Sequence, residues 1–388
     1  MIRGKRIVMS NKQKMIALIN GKVNTITNGI IDNGIVLVKG NKITAAGKNI
    51  KVPANAELID CTDKIITPGL IDAHCHAGLE ENGFPADADY NETSSPITPE
   101  VRSIDAFKKD DKTLLRAAQY GVTTAWMTPG SANVICGIGA IIKTYGKTYA
   151  DYIYREEEGM KMALGENPKR VYGTNKGKAP TTRMGVFALI RQELTKAKEY
   201  MNDKKREKTD LGLENLVRVL KRDLKVRCHA HKNSDMISFM RLAEEFDLDY
   251  TFEHATDSVS IVHELAEKNV PLMLGPMFMN QSKRESHSCS FGTPAVIAKN
   301  NILFTIISDS RFNPLEYLTV YAGISVCEGL SEENAMKAIT INPAKVLGID
   351  KELGSIEKGK IADLLIWPGD PLDCRVKPEK VMIGGDFI

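Results

Sequence analysis

The sequence predicts an α/β fold: a (β/α)8 TIM-like barrel with a small discontinuous β-sandwich domain built from both ends of the chain. Strand-like and helix-like segments alternate from about residue 67 to residue 345, which is typical of a parallel sheet. Imidazole and carboxylate side chains follow several of the apolar runs, as on the C-terminal face of such a barrel. A barrel takes roughly 250 residues, so the 388-residue chain has room for a second domain.

Both ends of the chain read as β structure, so we expect one domain made from two separate segments. The region from about 14 to 66 contains short alternating runs, two of them separated by Gly40-Asn41, a two-residue hairpin signal. Strand patterns return near the other end of the chain. The predicted domains are 1–66 for the first part of the β-sandwich, 67–348 for the barrel and 349–388 for the second part of the β-sandwich.

Between these segments the elements of the barrel can be assigned in order. Gly121–Trp126 and Val171–Gly173 read as strands, and Gly185–Tyr200 reads as a helix. Residues 158–168 read as the fourth barrel strand followed by a loop. Alternation of this kind over the whole central region favours a parallel sheet.

The most informative motif is Thr67-Pro-Gly-Leu-Ile-Asp-Ala-His-Cys-His76, which places His74 and His76 at the end of an apolar run. Residues i and i+2 of a β-strand point to the same face, so both imidazoles can reach one metal ion. Pro68 and Gly69 mark a turn where this strand begins. A His-x-His pair alone is a weak signal, and its weight here comes from the sites that follow it.

Three further apolar runs end in side chains of the same chemistry. Val226–His231 is a second strand with a His-x-His pair, Leu248–His254 ends in histidine, and Ile302–Asp309 ends in a carboxylate. Imidazole and carboxylate ligands suit zinc, and also manganese or iron. Taken singly, each histidine reads more simply as a packed side chain, and Asp309 reads equally well as a helix N-cap. Together they favour one shared metal site.

A lysine in the fourth strand is the candidate for a ligand that bridges two metal ions. Alternation places Lys161 on the face opposite to Met160 and Met162. Burial of an unpaired ammonium is costly. One resolution is a lowered pKa followed by carboxylation with CO2, which gives a bridging carbamate. Glu166 is the alternative bridge, and an ordinary ion pair between Lys161 and a carboxylate remains open.

These residues resemble the metal-dependent amidohydrolase superfamily, in the branch of the imidazolonepropionase-like and prolidase-like enzymes. The resemblance covers nearly the whole chain and is carried by Pro68–His76, His229, Glu253-His254 and Ser308-Asp309. It implies one or two divalent metal ions per chain, with zinc as the first choice and iron or manganese as alternatives. The implied metal ligands are His74, His76, Lys161, His229, His254 and Asp309, with a carboxylated lysine at Lys161 in the two-ion case. The implied catalytic residues are Asp309 and His254.

The expected reaction is hydrolysis of a non-protein C–N bond in a cyclic amide, an N-acyl compound or a dipeptide-like small molecule. A bound zinc-type ion lowers the pKa of water to about 7. Asp309 would act as general base on the metal-bound water, giving a hydroxide that attacks the carbonyl, and would return the proton to the departing nitrogen. The alternative enzyme is a heterocycle aminohydrolase (a deaminase) with a mononuclear site. A non-catalytic scaffold protein of the same fold is disfavoured because every expected ligand position is filled.

Substrate contacts are expected from residues near the strand ends. His231 lies two residues beyond the predicted ligand of its own strand, and we expect it to contact the substrate or support a ligand and not to bind the metal itself. Arg170 and Arg183 lie near the loop after the fourth strand and suit a carboxylate. Tyr172, Gln281 and Lys283 are weaker candidates.

Composition limits the partners. The chain has 52 Lys and Arg against 49 Asp and Glu, a net charge of +3 that is too balanced to suggest nucleic acid. The seven cysteines form no CxxC pair, so neither a disulfide framework nor a thiolate zinc site is indicated.

The acidic excursion 78–92 is expected to be a lid or binding loop. With no signal-peptide core and no membrane-length apolar run, we expect a cytoplasmic homo-oligomer with a small-molecule substrate and neither a nucleic-acid nor a membrane partner.

Overall fold

The computed structural model describes residues 14–80, 88–279 and 283–388. Residues 81–87 of the predicted lid, and Gln281, lie outside the described residues. The strands, in chain order, are β1 (Met15–Asn24), β2 (Ile30–Lys39), β3 (Lys42–Gly47), β4 (Glu57–Asp60), β5 (Ile65–Pro68), β6 (Leu70–Cys75), β7 (Val122–Met127), β8 (Ile135–Lys143), β9 (Ile153–Ala163), β10 (Val226–Ala230), β11 (Tyr250–His254), β12 (Leu272–Leu274), β13 (Phe304–Ile306), β14 (Leu364–Trp367), β15 (Lys380–Ile383) and β16 (Asp386–Phe387). The α-helices are α1 (Lys112–Gln119), α2 (Tyr149–Tyr152), α3 (Glu166–Lys169), α4 (Arg183–Asn202), α5 (Leu211–Leu220), α6 (Asn233–Phe246), α7 (Val262–Glu267), α8 (Thr293–Lys299), α9 (Leu318–Cys327), α10 (Glu332–Ala338) and α11 (Ile341–Val346).

The two ends of the chain meet in one sheet, called here the terminal sheet. Its strand order is β16-β15-β14-β5-β1-β2-β3, and β4 pairs with β1. The ends join where β5 pairs antiparallel with β14, with Ile66 opposite Ile366. Gly40 and Asn41 form the predicted turn between β2 and β3. Because these strands are hydrogen-bonded into a single sheet, a division into two stacked layers stays a prediction, as do the predicted domain boundaries.

The central region forms a second sheet, called here the barrel sheet, with the order β13-β12-β11-β10-β9-β8-β7-β6. Its two edges approach each other where the backbone N–H of Asp309 donates to the carbonyl of His74 at 3.2 Å and that of His76 donates to Ser310 at 2.7 Å. The sheet is therefore a nearly closed barrel of eight strands within the described residues. This confirms a mixed α/β fold.

The barrel sheet departs from the expected parallel pattern at β8, which is antiparallel to both β7 and β9. The reason is the length of the connections. Residues 128–134 and 144–152 join β8 to its neighbours, and a parallel crossover needs a dozen or more residues, whereas antiparallel strands can be joined by short loops. The other neighbouring pairs of this sheet are parallel.

Most of the predicted elements are present. Gly121–Trp126 contributes β7, the fourth predicted strand is part of β9, and Gly185–Tyr200 lies within α4. The strand expected at Val171–Gly173 is wrong, because these residues form a π-helical turn, and the loop expected after β9 contains α3. Tertiary contacts override local β preference here: the buried Tyr172 has its hydroxyl 2.6 Å from the carbonyl of Ser95.

The barrel core is apolar and includes Leu365 and Trp367 of β14, while most of the terminal sheet has a core of its own. The barrel residues pack in one large cluster that includes Trp126, Phe239 and Phe252, whereas Ile16, Val36 and other residues of the terminal sheet form their own cluster. In the described ranges no helix has both the length and the apolar character that crossing a bilayer requires.

Candidate metal centre

The C-terminal ends of four barrel strands bring the predicted imidazoles and carboxylate together. His74 belongs to β6, His229 to β10 and His254 to β11, while Asp309 follows β13. The ring centroid of His254 lies 5.0 Å from that of His74 and 4.4 Å from that of His229. All four side chains are buried. The site is therefore built from residues far apart in sequence, held by adjacent ends of one sheet.

His74, His76 and Asp309 form a compact group, called here the first cluster. One ligand atom from each lies within 4.8 Å of the others. Asp309 Oδ1 is 3.4 Å from His74 Nε2 and 3.2 Å from His76 Nε2. His74 and His76 lie two residues apart, so both rings face the barrel interior as the alternation predicted.

The hydrogen bonds of the two rings decide which nitrogens are free to bind a metal. His76 Nδ1 lies 2.7 Å from the carbonyl oxygen of Thr128 and His74 Nδ1 lies 2.6 Å from the carboxylate of Glu253. Carbonyl and carboxylate oxygens accept, so each Nδ1 carries the hydrogen and each Nε2 presents a lone pair. Two lone pairs therefore face Asp309 Oδ1, a buried oxygen that has no hydrogen-bond partner among the described residues. A set made only of acceptors fits a cation.

A buried ionic chain orients His74. Arg227 Nε donates to Glu253 Oε1 at 2.6 Å, and Glu253 Oε2 accepts from His74. The guanidinium also stacks over the Trp126 ring, 3.9 Å from its centroid. All of these side chains are fully buried. A carboxylate behind a metal-binding histidine fixes its tautomer and ring orientation, and this chain places such a carboxylate behind His74.

The charges of the two carboxylates are stabilised despite their burial. Burial alone would raise the pKa of Asp309, but the surrounding His74, His76 and His254 side chains hold it well below its ordinary value. Burial likewise opposes ionisation of Glu253, and the Arg227 guanidinium outweighs it and lowers the pKa of this carboxyl. Both groups are therefore anions at neutral pH.

Backbone conformation helps to aim the strand-end residues. His254 and Asp309 have positive φ angles of 71° and 52°, in the left-handed region that non-glycine residues seldom adopt. The carboxylate of Asp72 accepts from the backbone N–H of His74 at 2.9 Å and of Ser308 at 3.0 Å. This ties the end of β6 to the segment after β13, so the strained backbone is held by its surroundings.

The two candidate bridging residues occupy different places. Lys161 is fully buried in β9, with Nζ 3.2 Å from His74 Nε2. Burial lowers the pKa of Lys161, against the opposing effect of the Glu253 charge. Glu166 begins α3, and its backbone N–H donates to Glu285 at 2.9 Å. Lys161 thus lies against the first cluster, whereas Glu166 is partly exposed beside a second group.

His229, His231 and Glu285 form that second group, called here the second cluster. One ligand atom from each lies within 4.8 Å of the others, and all three side chains are buried. His231 Nδ1 is 2.7 Å from the hydroxyl of Thr256. Glu285 Oε2 accepts from Arg183 at 3.1 Å.

The predicted substrate contacts differ in burial and in the partners that they already have. His231 lies in the second cluster, and Arg183 is bound to Asp235 and Glu285. Tyr172 is buried, whereas Arg170 is exposed. Their roles as substrate contacts stay predictions.

The sequence reasoning missed the polar residues that lie beside the ligands inside the barrel. Arg227 and Asp72 each lie two residues before a predicted ligand on the same strand, so the alternation that identified the histidines also pointed these side chains inward. Glu285 gave no such signal, because it lies in a short 3-10 turn over Arg284–Ser286 and not in a strand.

Comparison with known proteins places this site in a family. The profile described as the amidohydrolase family matches residues 65–388. Amidohydrolase tasK from Hapsidospora irregularis is 28% identical over 392 residues, which cover 92% of this chain and 39% of that protein, so the chain spans about two fifths of its length. An imidazolonepropionase from Sphingopyxis alaskensis is 26% identical over 380 residues and 89% of each chain.

A solved structure supports the same placement. The crystal structure of an amidohydrolase from Thermotoga maritima MSB8 superposes with a TM-score of 0.92 at 38% sequence identity, over 96% of this chain and 99% of that chain. The family uses divalent metals, in agreement with the histidine and carboxylate groups described above. The chain therefore belongs to the amidohydrolase family, and it is a hydrolase that acts on carbon–nitrogen bonds.

Proposed function

We propose that this protein is a metal-dependent hydrolase of a small molecule with a non-protein C–N bond, in a cyclic amide, an N-acyl compound or a dipeptide-like compound. The observation that carries the proposal is the acceptor-only face of the first cluster. Two imidazole lone pairs and one carboxylate oxygen converge there, and Lys161 Nζ lies 3.2 Å from one of these lone pairs, that of His74 Nε2. Such a set of acceptors favours a cation.

His74, His76 and Asp309 would hold a divalent ion, with zinc as the first candidate and iron or manganese as alternatives. Bound there, the ion supplies an acidified water and polarises the scissile carbonyl. Glu253 keeps the His74 lone pair directed at the site, and the carbonyl of Thr128 does the same for His76. Lys161, His229 and His254 remain the further predicted ligands.

Asp309 is our candidate for the general base. Its carboxylate is ionised, for the reasons given above, so it can accept a hydrogen bond from the attacking water and take up its proton. The Asp309 carboxylate then returns this proton to the departing nitrogen, which leaves as an amine. His254 lies next to this carboxylate, with Nδ1 3.9 Å from Asp309 Oδ2. Since His254 Nδ1 donates to the carbonyl of Gly275 at 2.7 Å, its Nε2 is free to bind a metal or to polarise the substrate carbonyl.

The substrate proposal rests on similarity and on charge. A relative named for an imidazolone, which is a cyclic amide, supports the first substrate class. Arg183 is occupied by two carboxylates, whereas Arg170 is exposed beyond α3 and is our candidate for a substrate carboxylate. A homo-oligomer without nucleic-acid or membrane partners also remains a proposal.

Hydrolysis in oxygen-18 water tests the proposed function. The metal-loaded protein is incubated with hydantoins, N-acetyl amino acids, Xaa-Pro dipeptides and aminoheterocycles, and products are identified by mass spectrometry. Amide hydrolysis puts one labelled oxygen into a new carboxylate, whereas deamination releases ammonia and labels the ring carbonyl. Label in a new carboxylate that disappears with chelator and in His74→Ala supports the proposal. Label confined to ring carbonyls would make the protein a deaminase.

The heterocycle aminohydrolase is kept as the second candidate because the first cluster is by itself a complete set of two imidazoles and one carboxylate. Three protein ligands with one open position are sufficient for a mononuclear catalytic site. The test above separates the two functions without assuming how many metal ions the protein holds.

A further inference from the structure

We propose that His229, His231 and Glu285 form a second divalent-cation site, distinct from the first cluster and not dependent on a carboxylated Lys161. The proposal deepens the metallohydrolase function, on which it rests. Two imidazoles and one carboxylate are the donor set of many catalytic zinc sites, in which a fourth position stays open for water or substrate. The second cluster thus repeats the ligand chemistry of the first cluster with different residues.

The geometry of the second cluster is close to that of a metal site. The exposed fractions of His229, His231 and Glu285 are 2%, 3% and 3%. One donor atom from each lies within 4.8 Å of the other two. Donors around a tetrahedral zinc ion lie about 3.4 Å apart, given zinc–nitrogen bonds of about 2.1 Å. A small contraction of side chains would therefore close the cluster on an ion, without movement of a strand.

Two unpaired polar atoms in the same cluster point to a missing partner. His229 Nδ1 and Glu285 Oε1 are buried and have no hydrogen-bond partner among the described residues. A buried polar atom without a partner costs about 1–3 kcal/mol, so two such atoms in one small cluster need an explanation. A cation between them supplies a partner to both.

The surroundings of each ligand leave the required atom available. His231 Nδ1 is hydrogen-bonded to Thr256, so Nε2 is its free nitrogen. Glu285 is anchored through Oε2 by Arg183 and by the N–H of Glu166, which leaves Oε1 for the ion.

The remaining ligand, His229, is oriented by its contact with Asn167. Asn167 Nδ2 lies 3.4 Å from Nε2 of this ring. The amide oxygen of Asn167, Oδ1, is buried and has no hydrogen-bond partner among the described residues. Exchange of its two amide atoms would let the oxygen accept from His229 Nε2–H and from the Ser131 hydroxyl. The His229 Nδ1 lone pair would then face the ion.

The position of the second cluster separates it from a carbamate-bridged pair. Lys161 Nζ lies 3.2 Å from His74 Nε2, against the first cluster. The His254 ring lies between the clusters, with its centroid 5.0 Å from that of His74 and 5.0 Å from that of His231. The charges of Lys283 and Lys161 both act on the two histidines of the second cluster and oppose a cation there. Removal of the Lys283 charge should therefore tighten cation binding.

Metal content per chain, measured by elemental mass spectrometry on the full-length zinc-loaded protein, tests the proposal. We expect about two equivalents of zinc in the wild type. Glu285→Gln and His231→Ala should each lose about one equivalent, and Asp309→Asn should keep the one in the second cluster. Matched controls are Glu264→Gln, at an exposed position in α7, and His287→Ala, an exposed histidine two residues beyond Glu285. Both controls should retain the wild-type content.

Cobalt substitution and a charge variant sharpen the test. Visible absorption of the cobalt protein should show two titration phases, and Glu285→Gln should remove one of them while circular dichroism stays unchanged. Lys283→Met should bind the second equivalent more tightly. Weaker binding in Lys283→Met would overturn the proposal, since it would make the cluster an anion site.

The other outcomes separate this proposal from the function on which it rests. If the wild type holds about one equivalent that Asp309→Asn removes, the second site fails and the proposed function stands. If Lys161→Met loses the second equivalent while Glu285→Gln keeps it, the carbamate bridge replaces the second site. If the wild type holds no metal and hydrolysis survives chelation, the proposed metal-dependent function fails as well.

Discussion

The first and second clusters each contain two histidines and one carboxylate, but they differ in how firmly the histidines are oriented and in how readily the carboxyl group ionises. In the first cluster, both Nδ1 atoms donate to fixed protein acceptors and burial of Asp309 is outweighed by its histidine neighbours, so its pKa is low. In the second cluster, His229 Nδ1 and Glu285 Oε1 lack partners, and burial raises the pKa of Glu285 to about 7.

This difference has a consequence for metal binding. A preoriented, ionised ligand set holds a cation with little reorganisation, whereas a carboxyl that titrates near neutrality must lose its proton first. The first cluster should therefore bind its ion more tightly and over a wider pH range than the second. The Arg227–Glu253 chain is the feature that the second cluster lacks, which makes it the natural target for mutation.

The largest expected effect comes from Asp309→Asn. The amide keeps the shape of the carboxylate but removes the charge that faces His74 and His76, together with the proposed base. We expect hydrolysis to fall by about 10³-fold or more, since loss of acid–base catalysis alone costs about 10²–10⁴-fold and metal binding weakens as well. The measurement is kcat/KM on the substrate identified by the labelling experiment.

The control for this variant is Asp386→Asn, at an exposed position in the terminal sheet. It should leave kcat/KM unchanged. Activity of Asp309→Asn within about tenfold of the wild type would contradict the role of the first cluster, because general acid–base catalysis alone contributes more than that.

Glu253→Gln should have the next largest effect, and it separates orientation of His74 from simple stability. Without the carboxylate, His74 loses the partner that fixes its tautomer, so we expect metal affinity of the first cluster and activity to fall by about 10–100-fold. The second cluster should keep its affinity. The measurement is competitive zinc titration with a chelating dye, combined with kcat/KM.

Arg227→Met is the matched control. It breaks the same buried ion pair, so each variant should lower the free energy of unfolding by about 3–5 kcal/mol, but it leaves the bond between Glu253 and His74 in place. Equal losses of metal affinity in the two variants would mean that the ionic chain acts on stability and not on the orientation of His74.

The first cluster could be predicted from the sequence because each of its ligands lies at or just beyond the end of an apolar strand. Strand periodicity puts His74 and His76 on one face, and parallel strands bring their carboxyl ends to one rim. The same periodicity directs Arg227 into the barrel, because it lies two residues before His229 on the same strand.

The rest of the site and fold depended on tertiary contacts. Glu285 lies in a short turn that is distant in sequence from the ends of β12 and β13. The packing of that turn over Gly165 brings its carboxylate to His229. The Gly165 position shows how close this packing is, because a Cβ there would lie 2.5 Å from Glu285 Oε2. The antiparallel β8 was also missed, since its run resembles any other buried strand and only the short connections on either side set its direction.

Gly275→Ala should lower the stability of the protein beside both clusters, because the Gly275 carbonyl accepts from His254 Nδ1 and the His254 ring packs near His74 and His229. Gly275 has a φ angle of 143°, and a Cβ there would lie 2.3 Å from the backbone oxygen of Ile307. Backbone cannot move as a flexible side chain does, so we expect the free energy of unfolding to fall by about 2–4 kcal/mol.

Gly177→Ala is the comparison for this substitution. Gly177 also has a positive φ, of 63°, but a Cβ there would meet nothing within 4 Å, so its cost should be about 1 kcal/mol. Chemical denaturation of both variants measures the two costs. Equal costs would mean that contact with the Ile307 carbonyl contributes nothing.

The smallest expected effect is a change in how the stability of the metal-free protein depends on pH. Burial and the Lys283 charge lower the pKa of His231 to about 3, against about 6.5 in the unfolded chain. A depressed pKa contributes stability that is fully present above pH 6.5 and is lost as the pH falls toward 3. In that window, His231 therefore makes the free energy of unfolding fall by at most about 1.4 kcal/mol for each pH unit of acidification.

Denaturant unfolding at pH 7.5, 6.5 and 5.5 should thus show a shallower pH dependence for metal-free His231→Gln than for the wild type. His263→Gln, at an exposed position in α7, should match the wild type. His76→Gln tests the first cluster in the same way, because burial lowers the pKa of His76 but the neighbouring Asp309 charge opposes the shift. His76→Gln should therefore reduce the pH dependence of the free energy of unfolding less than His231→Gln does. The reverse order would mean that the first cluster is the one whose imidazoles are held neutral mainly by burial, and the proposed contrast between the clusters would have to be inverted.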